Sequence, residues 1–142
     1  MKHPQALTGP ILAVDPGRDK CGIAVVEPTG RVLHKAVAAT ENIAGDVQRL
    51  VGDYHVKRLV LGDRTAANEV MRALRQAQLP LSPILVDEHR SSELGRKRYF
   101  EDNPPRGWRR LLPVTLQTPG RPYDDYVAVV LAERYLESLQ TV

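Results

Sequence analysis

The chain has 142 residues, of which 42% are hydrophobic and 26% charged, and its formal net charge is +3. This composition is typical of a folded globular protein and excludes bulk disorder. Cys21 is the only cysteine, which excludes a disulfide framework and a cysteine-rich zinc site. No apolar run approaches the roughly 20 residues of a membrane span, and no hydrophobic leader is visible. We therefore expect a cytoplasmic protein without a membrane segment, with one domain at 11–142 after a loose lead-in at 1–10.

The first elements in chain order are three short strands. An apolar run at 11–15 ends in an acid, and a second run at 21–26 follows a Pro-Gly turn. A Pro-Thr-Gly turn signal then precedes a third strand at 31–38. Connectors this short are typical of strands that pair in an antiparallel meander.

Helices and strands alternate in the rest of the chain. The predicted elements are a helix at 41–54, a strand at 58–62, a helix at 65–78, a strand at 83–87, a helix from 91 or 92 to about 100, and a final helix at 124–139. Alternation of this kind predicts right-handed crossovers and parallel pairing. The sequence therefore predicts an α/β fold, a mixed five-stranded sheet with helices on its faces.

A long irregular segment at about 101–122 interrupts this pattern. It contains five of the eleven prolines, and one helical turn is expected near 108–111. A loop of this length in a compact domain is usually functional or mobile.

Carboxylates cluster at the predicted ends of the strands. Asp15 ends the first strand, Asp63 follows the fourth, Glu88 follows the fifth, and the pair Asp124 and Asp125 opens the last helix. The carboxyl ends of parallel strands meet at one edge of a sheet, where ligand sites gather. Taken singly, each acid is explained as well by a turn, a helix cap or a surface ion pair. Their coincidence at one edge favours a site.

Carboxylates held this close together resist joint ionisation unless a cation neutralises them. Mg²⁺ and Mn²⁺ prefer such oxygen ligands. Two such ions about 4 Å apart can promote phosphodiester hydrolysis. The expected cofactor is therefore Mg²⁺ or Mn²⁺.

Three segments resemble a known family. Residues 15–25 read DPGRDKCGIAV, residues 86–92 read VDEHRSS, and residues 124–131 read DDYVAVVL. These are similar to the opening strand, the acid segment and the closing helix of the YqgF (RuvX) proteins, relatives of the RuvC resolvases in the ribonuclease H-like superfamily. The resemblance implies a sheet of strand order 3-2-1-4-5 and a metal-dependent nuclease that processes the precursor of small-subunit ribosomal RNA.

The resemblance also implies a site. Carried over by motif, Asp15 is the central-strand ligand, Glu88 the second acid and Asp125 the helix acid, with Asp124 as an alternative or additional ligand. The chain departs from the family after the fourth strand, where Gly-Asp-Arg stands in place of Gly-Leu-Pro. Asp63 is therefore a further candidate ligand, and branched DNA is an alternative substrate.

Basic residues near these acids are candidates for nucleic-acid binding. Arg and Lys side chains suit phosphate oxygens, and an exposed aromatic among arginines suits unpaired bases. The candidates are Arg18, Lys20, Arg90, Arg106, Trp108, Arg109 and Arg110. The alternative for Arg18 and Lys20 is a solvated turn, and for Trp108 it is packing of the loop onto the body.

Two other classes of function stay open. One is a non-catalytic nucleic-acid or protein-binding module, and the other is a nucleotide-binding protein, because the Asp-x-Gly turn also resembles the phosphate loop of actin-like ATPases. The sequence does not decide between monomer and homodimer, and a resolvase of two-fold junctions requires a symmetric dimer.

Overall fold

The computed structural model describes residues 7–64, 66–113, 117 and 119–140. Its elements are β1 (Ile11–Asp15), β2 (Lys20–Val26), β3 (Val32–Ala39), α1 (Ile43–Tyr54), β4 (Arg58–Gly62), α2 (Ala67–Gln76), β5 (Pro83–Val86), α3 (Ser91–Asp102) and α4 (Asp124–Gln140). Short 3₁₀ turns occur at Thr40–Asn42 and Gly107–Leu111. Every predicted helix and strand is present. Thr65, the predicted start of the second helix, lies outside the described residues, as do most of the predicted lead-in and four residues of the predicted loop.

The five strands form one mixed sheet in the order β3-β2-β1-β4-β5. β1 pairs antiparallel with β2, and β2 pairs antiparallel with β3. β1 pairs parallel with β4, and β4 pairs parallel with β5. The predicted meander, the parallel crossovers and the strand order implied by the family resemblance are therefore confirmed.

Helices cover both faces of the sheet. Alternate residues of a strand point to opposite faces, so Leu12 and Val14 pack with α1 and α2 while Ile11 and Ala13 pack with α4. The first four residues of β1 are fully buried, which explains why this strand reads as an unbroken apolar run. Asp15 follows Ile11 and Ala13 in the same alternation, so it belongs to the α4 face.

α3 and α4 pack against each other beside this face. Arg98 of α3 donates hydrogen bonds to both carboxylate oxygens of Glu133 in α4, at 2.6 and 2.8 Å. Arg134 of α4 donates to the carbonyl oxygens of Asp87 and His89. These contacts fix the loop that carries Glu88 relative to the helix that begins at Asp124. No helix within the described part of the chain is long and apolar enough to cross a membrane.

Candidate active site

Asp15 lies between two glycines on neighbouring strands. Gly22 of β2 is its direct partner in the antiparallel pair. A Cβ at Gly22 would overlap the carbonyl oxygen of Asp124. The first residue of α4 can therefore approach the sheet next to Asp15 only because glycine occupies this position.

Gly62 supplies the same opening on the other side of Asp15. It follows Leu61, which is paired with Val14 of β1. A Cβ at Gly62 would overlap the side chain of Glu88, which lies over the end of β4 and is only 7% exposed. Two glycines thus let a carboxylate from the β5–α3 loop and the start of α4 come close to the central strand.

The backbone holds Glu88 in this position. The N–H of Arg64 donates to Glu88 Oε2 at 2.7 Å, and the N–H of Glu88 donates to Asp63 Oδ1 at 3.2 Å. The hydroxyl of Ser91 donates to the Glu88 carbonyl at 2.7 Å. Asp63 is exposed, and its carboxylate orients the backbone of Glu88. In the structure this candidate ligand therefore supports the position of Glu88.

The carboxyls of Asp15 and Glu88 are in direct contact. Burial is the largest of the causes that raise the pKa of Asp15 from its ordinary value of 3.8 to about 9, and a hydrogen bond to Glu88, the charge of Glu88 and the charge of Asp124 contribute the rest. Burial also raises the pKa of Asp124, with the charge of Asp125 adding to the effect and Lys20 opposing it. Among the described residues no ion pair joins a protein cation to any of these three acids, and the raised pKa keeps Asp15 protonated near neutral pH.

Asp125 has different surroundings from those expected of the helix acid. Its carboxylate lies 3.3 Å from Arg121 Nη1 and 3.7 Å from Lys35 Nζ, and it accepts the N–H of Tyr126 at 3.0 Å. It is 3% exposed. Two protein cations already neutralise this side chain. The structure therefore brings Asp124, rather than Asp125, to the Asp15–Glu88 pair.

The chemical type of the donor atoms in the site suits a hard divalent cation. Asp15 and Glu88 offer carboxylate oxygens only, and their contact is one that a cation would relieve. Among the residues that the structure describes, no three Asp, Glu, His or Cys side chains already meet at metal-ligand spacing. The site thus presents two touching carboxylates with a third close by.

Comparison with solved structures identifies the architecture. The protein has the fold of RuvC. Over 94% of this chain and 96% of the other, it superposes on Thermus thermophilus RuvC in complex with Holliday junction substrate, with a TM-score of 0.58 and 14% identity. A second Thermus thermophilus RuvC structure matches 94% of this chain and 97% of its own, with a TM-score of 0.54 and 12% identity. No family model and no curated protein matches the sequence.

The basic candidates fall into two groups. Arg18 and Lys20 are exposed at and after the turn that follows Asp15, and Lys20 is close enough to lower the pKa of Asp124. The turn is tied down because Thr40 donates to the Gly17 carbonyl at 2.8 Å. Arg90 is exposed and pairs with Glu93 at 3.3 Å.

The second group lies on the 3₁₀ turn at Gly107–Leu111 and just before it. Arg106, Arg109 and Arg110 are exposed, and Trp108 is 68% exposed. The structure therefore favours the exposed arrangement of Trp108 over packing against the body. The helical turn expected near 108–111 is confirmed.

Sequence reasoning missed several residues that shape the site. They are Gly22, Gly62, Lys35, Arg121 and Arg134. The two glycines carried a usable signal, because a glycine inside a strand often marks a close approach by another backbone or side chain. Lys35 carried none, since its pairing with Asp125 joins residues 90 positions apart, and Arg121 carried none because it lies four residues before Asp125 in a loop without a regular period.

Proposed function

We propose that the protein is a divalent-metal-dependent nuclease that hydrolyses phosphodiester bonds in structured nucleic acid. The observation that carries this proposal is the contact between the Asp15 and Glu88 carboxyls beside Asp124, at the end of the central strand. A buried acid pair of this kind costs stability unless a bound cation or a retained proton offsets its charge, and pairs with such perturbed pKa values cluster at functional sites. The RuvC fold supports the proposal, since one matching structure holds a Holliday junction substrate.

Asp15 and Glu88 would hold Mg²⁺ or Mn²⁺, with Asp124 as the third carboxylate. A bound divalent ion at this position neutralises the phosphate charge and lowers the pKa of the attacking water. Asp124 takes the role that the family resemblance gave to Asp125, because Asp125 is occupied by Lys35 and Arg121. Asp63 stays outside the ligand set and keeps the Glu88 backbone in place.

The remaining residues of the site would bind the substrate. Arg18 and Lys20 project from the anchored turn beside Asp15 and suit phosphate oxygens. The hydrogen bond from the Arg64 backbone fixes one carboxylate oxygen of Glu88. Such fixed geometry matters because productive phosphoryl chemistry depends on positioning.

The family resemblance supports the precursor of small-subunit ribosomal RNA as the substrate. Branched DNA is the second candidate, favoured by the RuvC complex with a Holliday junction. The two differ in symmetry, since a four-way junction with two cuts requires a two-fold enzyme. A monomer in solution and on the substrate would favour the RNA.

The decisive experiment compares Asp15→Asn with the parent on three substrates: precursor ribosomal RNA, single strands and four-way junctions. Each is incubated with Mg²⁺, with Mn²⁺ and with a chelator. We expect cleavage of at least one substrate by the parent with a divalent ion, and a loss of more than about 100-fold in Asp15→Asn. Asp19→Asn is the matched control, because Asp19 is an exposed acid in the same turn.

The outcome also separates the other classes of function. Equal cleavage by Asp15→Asn and the parent would overturn the mechanism. Tight nucleic-acid binding with no cleavage of any substrate would instead indicate a non-catalytic binding module. Binding of ATP by calorimetry would indicate the nucleotide-binding class.

A further inference from the structure

The segment between α3 and α4 has an unusual charge pattern. Residues 103–122 contain four arginines and neither Asp nor Glu, although the whole chain has 17 acids. Three of these arginines lie within five residues of one another and surround Trp108. Arg106, Arg109 and Arg110 are all exposed, so they form a local positive patch that does not arise from the modest net charge of the protein.

The same segment carries the two most exposed large apolar side chains among the described residues. Trp108 is 68% exposed and Leu111 is 80% exposed. Trp is usually well buried, because its ring gains more than most side chains from leaving water. An exposed Trp within a patch of one charge is therefore a candidate contact for a partner that is both aromatic and anionic.

The turn that carries Trp108 is held from within. Gln117 is 9% exposed, and its side-chain amide donates to the carbonyls of Arg109 at 2.7 Å and Leu112 at 3.0 Å. The N–H of Leu112 also donates to the Arg109 carbonyl at 3.0 Å. The Arg109 guanidinium lies 5.9 Å from the centre of the Trp108 ring. These contacts present the ring on a fixed turn at the surface.

From these observations we propose that the turn Gly107–Leu111 is a stacking platform for unpaired bases of the nucleic-acid substrate. This inference rests on the proposed nuclease function. Every base has a face that can stack on an aromatic ring, and the arginines around it would bind the phosphates on either side. Paired bases in a duplex stack on each other and do not offer that face. The preferred substrate therefore contains single-stranded or splayed nucleotides.

The end of the segment lies beside the acid site. Arg121 and Tyr123 line a cleft of about 330 Å³ together with Ser92, Asp124 and Val127. Asp124 is one of the three clustered acids, so the cleft opens beside the proposed point of cleavage.

A second copy of this chain is a less suitable occupant of the platform. Two such patches would place arginines against arginines, because the segment contains no acid that could pair with them. A polyanion neutralises the same charges and releases counterions as it binds. Charge complementarity therefore selects nucleic acid as the partner.

The protein contains one tryptophan, so emission excited selectively at tryptophan rather than at the five tyrosines reports on Trp108 alone. We would titrate Asp15→Asn, in chelator, with a single-stranded oligonucleotide and with a blunt duplex of the same sequence. We expect strong quenching by the single strand and little by the duplex. Saturable binding of the single strand without a change in Trp108 emission would overturn the proposal.

Variants test whether the ring itself contributes to binding. Anisotropy of a labelled single strand should show binding about 10-fold weaker for Trp108→Ala and near the parent value for Trp108→Phe. Leu85→Ala is the matched control, since Leu85 is 56% exposed on β5, outside the segment. Equal affinities of Trp108→Ala and the parent would overturn the platform. So would a parent dimer that Trp108→Ala dissociates without any effect on nucleic-acid binding.

The platform and the nuclease can fail separately. These titrations need no cleavage. If the nuclease assignment fails but the single strand still quenches Trp108, the platform is retained and only the proposed chemistry is overturned. Metal-dependent cleavage abolished by Asp15→Asn, combined with no response of Trp108, removes the platform alone.

Discussion

Two neighbouring carboxylates at the start of α4 have opposite surroundings. Asp125 lies against Lys35 and Arg121, so its charge is neutralised within the protein. Asp124 faces Asp15, where burial and other carboxylates raise the pKa of both acids. The fold thus supplies its own cations to Asp125, whereas no ion pair of the described residues neutralises Asp124 or Asp15.

The contacts around Asp125 also form a structural joint between several elements of the fold. The Arg121 guanidinium lies 5.4 and 5.5 Å from the rings of Tyr99 and Tyr126, and Lys35 Nζ lies 4.6 Å from the Tyr126 ring. The hydrogen bond to Asp125 raises the pKa of Arg121. Through these contacts β3, α3 and the end of the segment at 103–122 meet the first turn of α4. The joint fixes the direction in which Asp124 points.

Exchanging each of the two acids for its amide is the strongest test of this comparison. Asp124→Asn should lower cleavage by about 10- to 100-fold and leave folding intact, because it removes a site carboxylate. Asp125→Asn should lower the free energy of unfolding by about 1.5–3 kcal/mol, because Lys35 and Arg121 lose a charged hydrogen-bond partner. Urea unfolding and cleavage rates corrected for the folded fraction measure the two effects. A stable Asp125→Asn protein without activity would return Asp125 to the ligand set.

The second prediction concerns the glycine that makes room for Glu88. Gly62→Ala should destabilise the fold by about 1–3 kcal/mol and displace the Glu88 carboxylate, because the new Cβ overlaps that side chain. The rise in melting temperature on adding Mg²⁺ should therefore shrink or vanish. Gly45→Ala in α1 is the control, since no neighbour lies within 4 Å of its Cβ position. An undiminished response to Mg²⁺ in Gly62→Ala would show that Glu88 does not hold the ion.

The fold could be predicted from the sequence because local patterns and packing agree. β1 reads as a continuous apolar run because helices cover both of its faces, and the short connectors at 16–19 and 27–31 allow only a meander. The ends of β1 and β4 are equally visible in the sequence, since Asp15 and Asp63 directly follow buried residues. These features depend on neighbours in sequence, which a pattern can record.

The choice between Asp124 and Asp125 could not be made in the same way. Consecutive residues of a helix are about 100° apart around its axis. Asp124 and Asp125 therefore both lie close enough to the apolar stripe of α4 to come near the sheet. What separates them is their partners. Lys35 is on a strand 90 positions earlier, and Arg121 lies in a proline-rich loop without a regular period. Family resemblance selected Asp125, whereas the structure pairs Asp125 with Lys35 and Arg121 and leaves Asp124 as the acid whose charge acts on Asp15.

The last prediction uses pH to separate the two clusters. Asp15 has a raised pKa of about 9 in the folded protein, so between about pH 4 and pH 9 folding takes up a proton. In chelator, the free energy of unfolding should therefore fall as the pH rises through this window, by no more than about 1.4 kcal/mol per unit for one proton. Asp15→Asn should flatten the profile, and saturating Mg²⁺ should flatten it in the parent by replacing the proton. Asp125→Asn should lower the whole curve and change its slope less than Asp15→Asn does, because the charge of Asp125 acts on Asp124 and is not among the causes that raise the pKa of Asp15. If the free energy of unfolding of the parent in chelator does not change with pH, Asp15 ionises without cost. The contrast between the surroundings of Asp15 and those of Asp125 would then be lost.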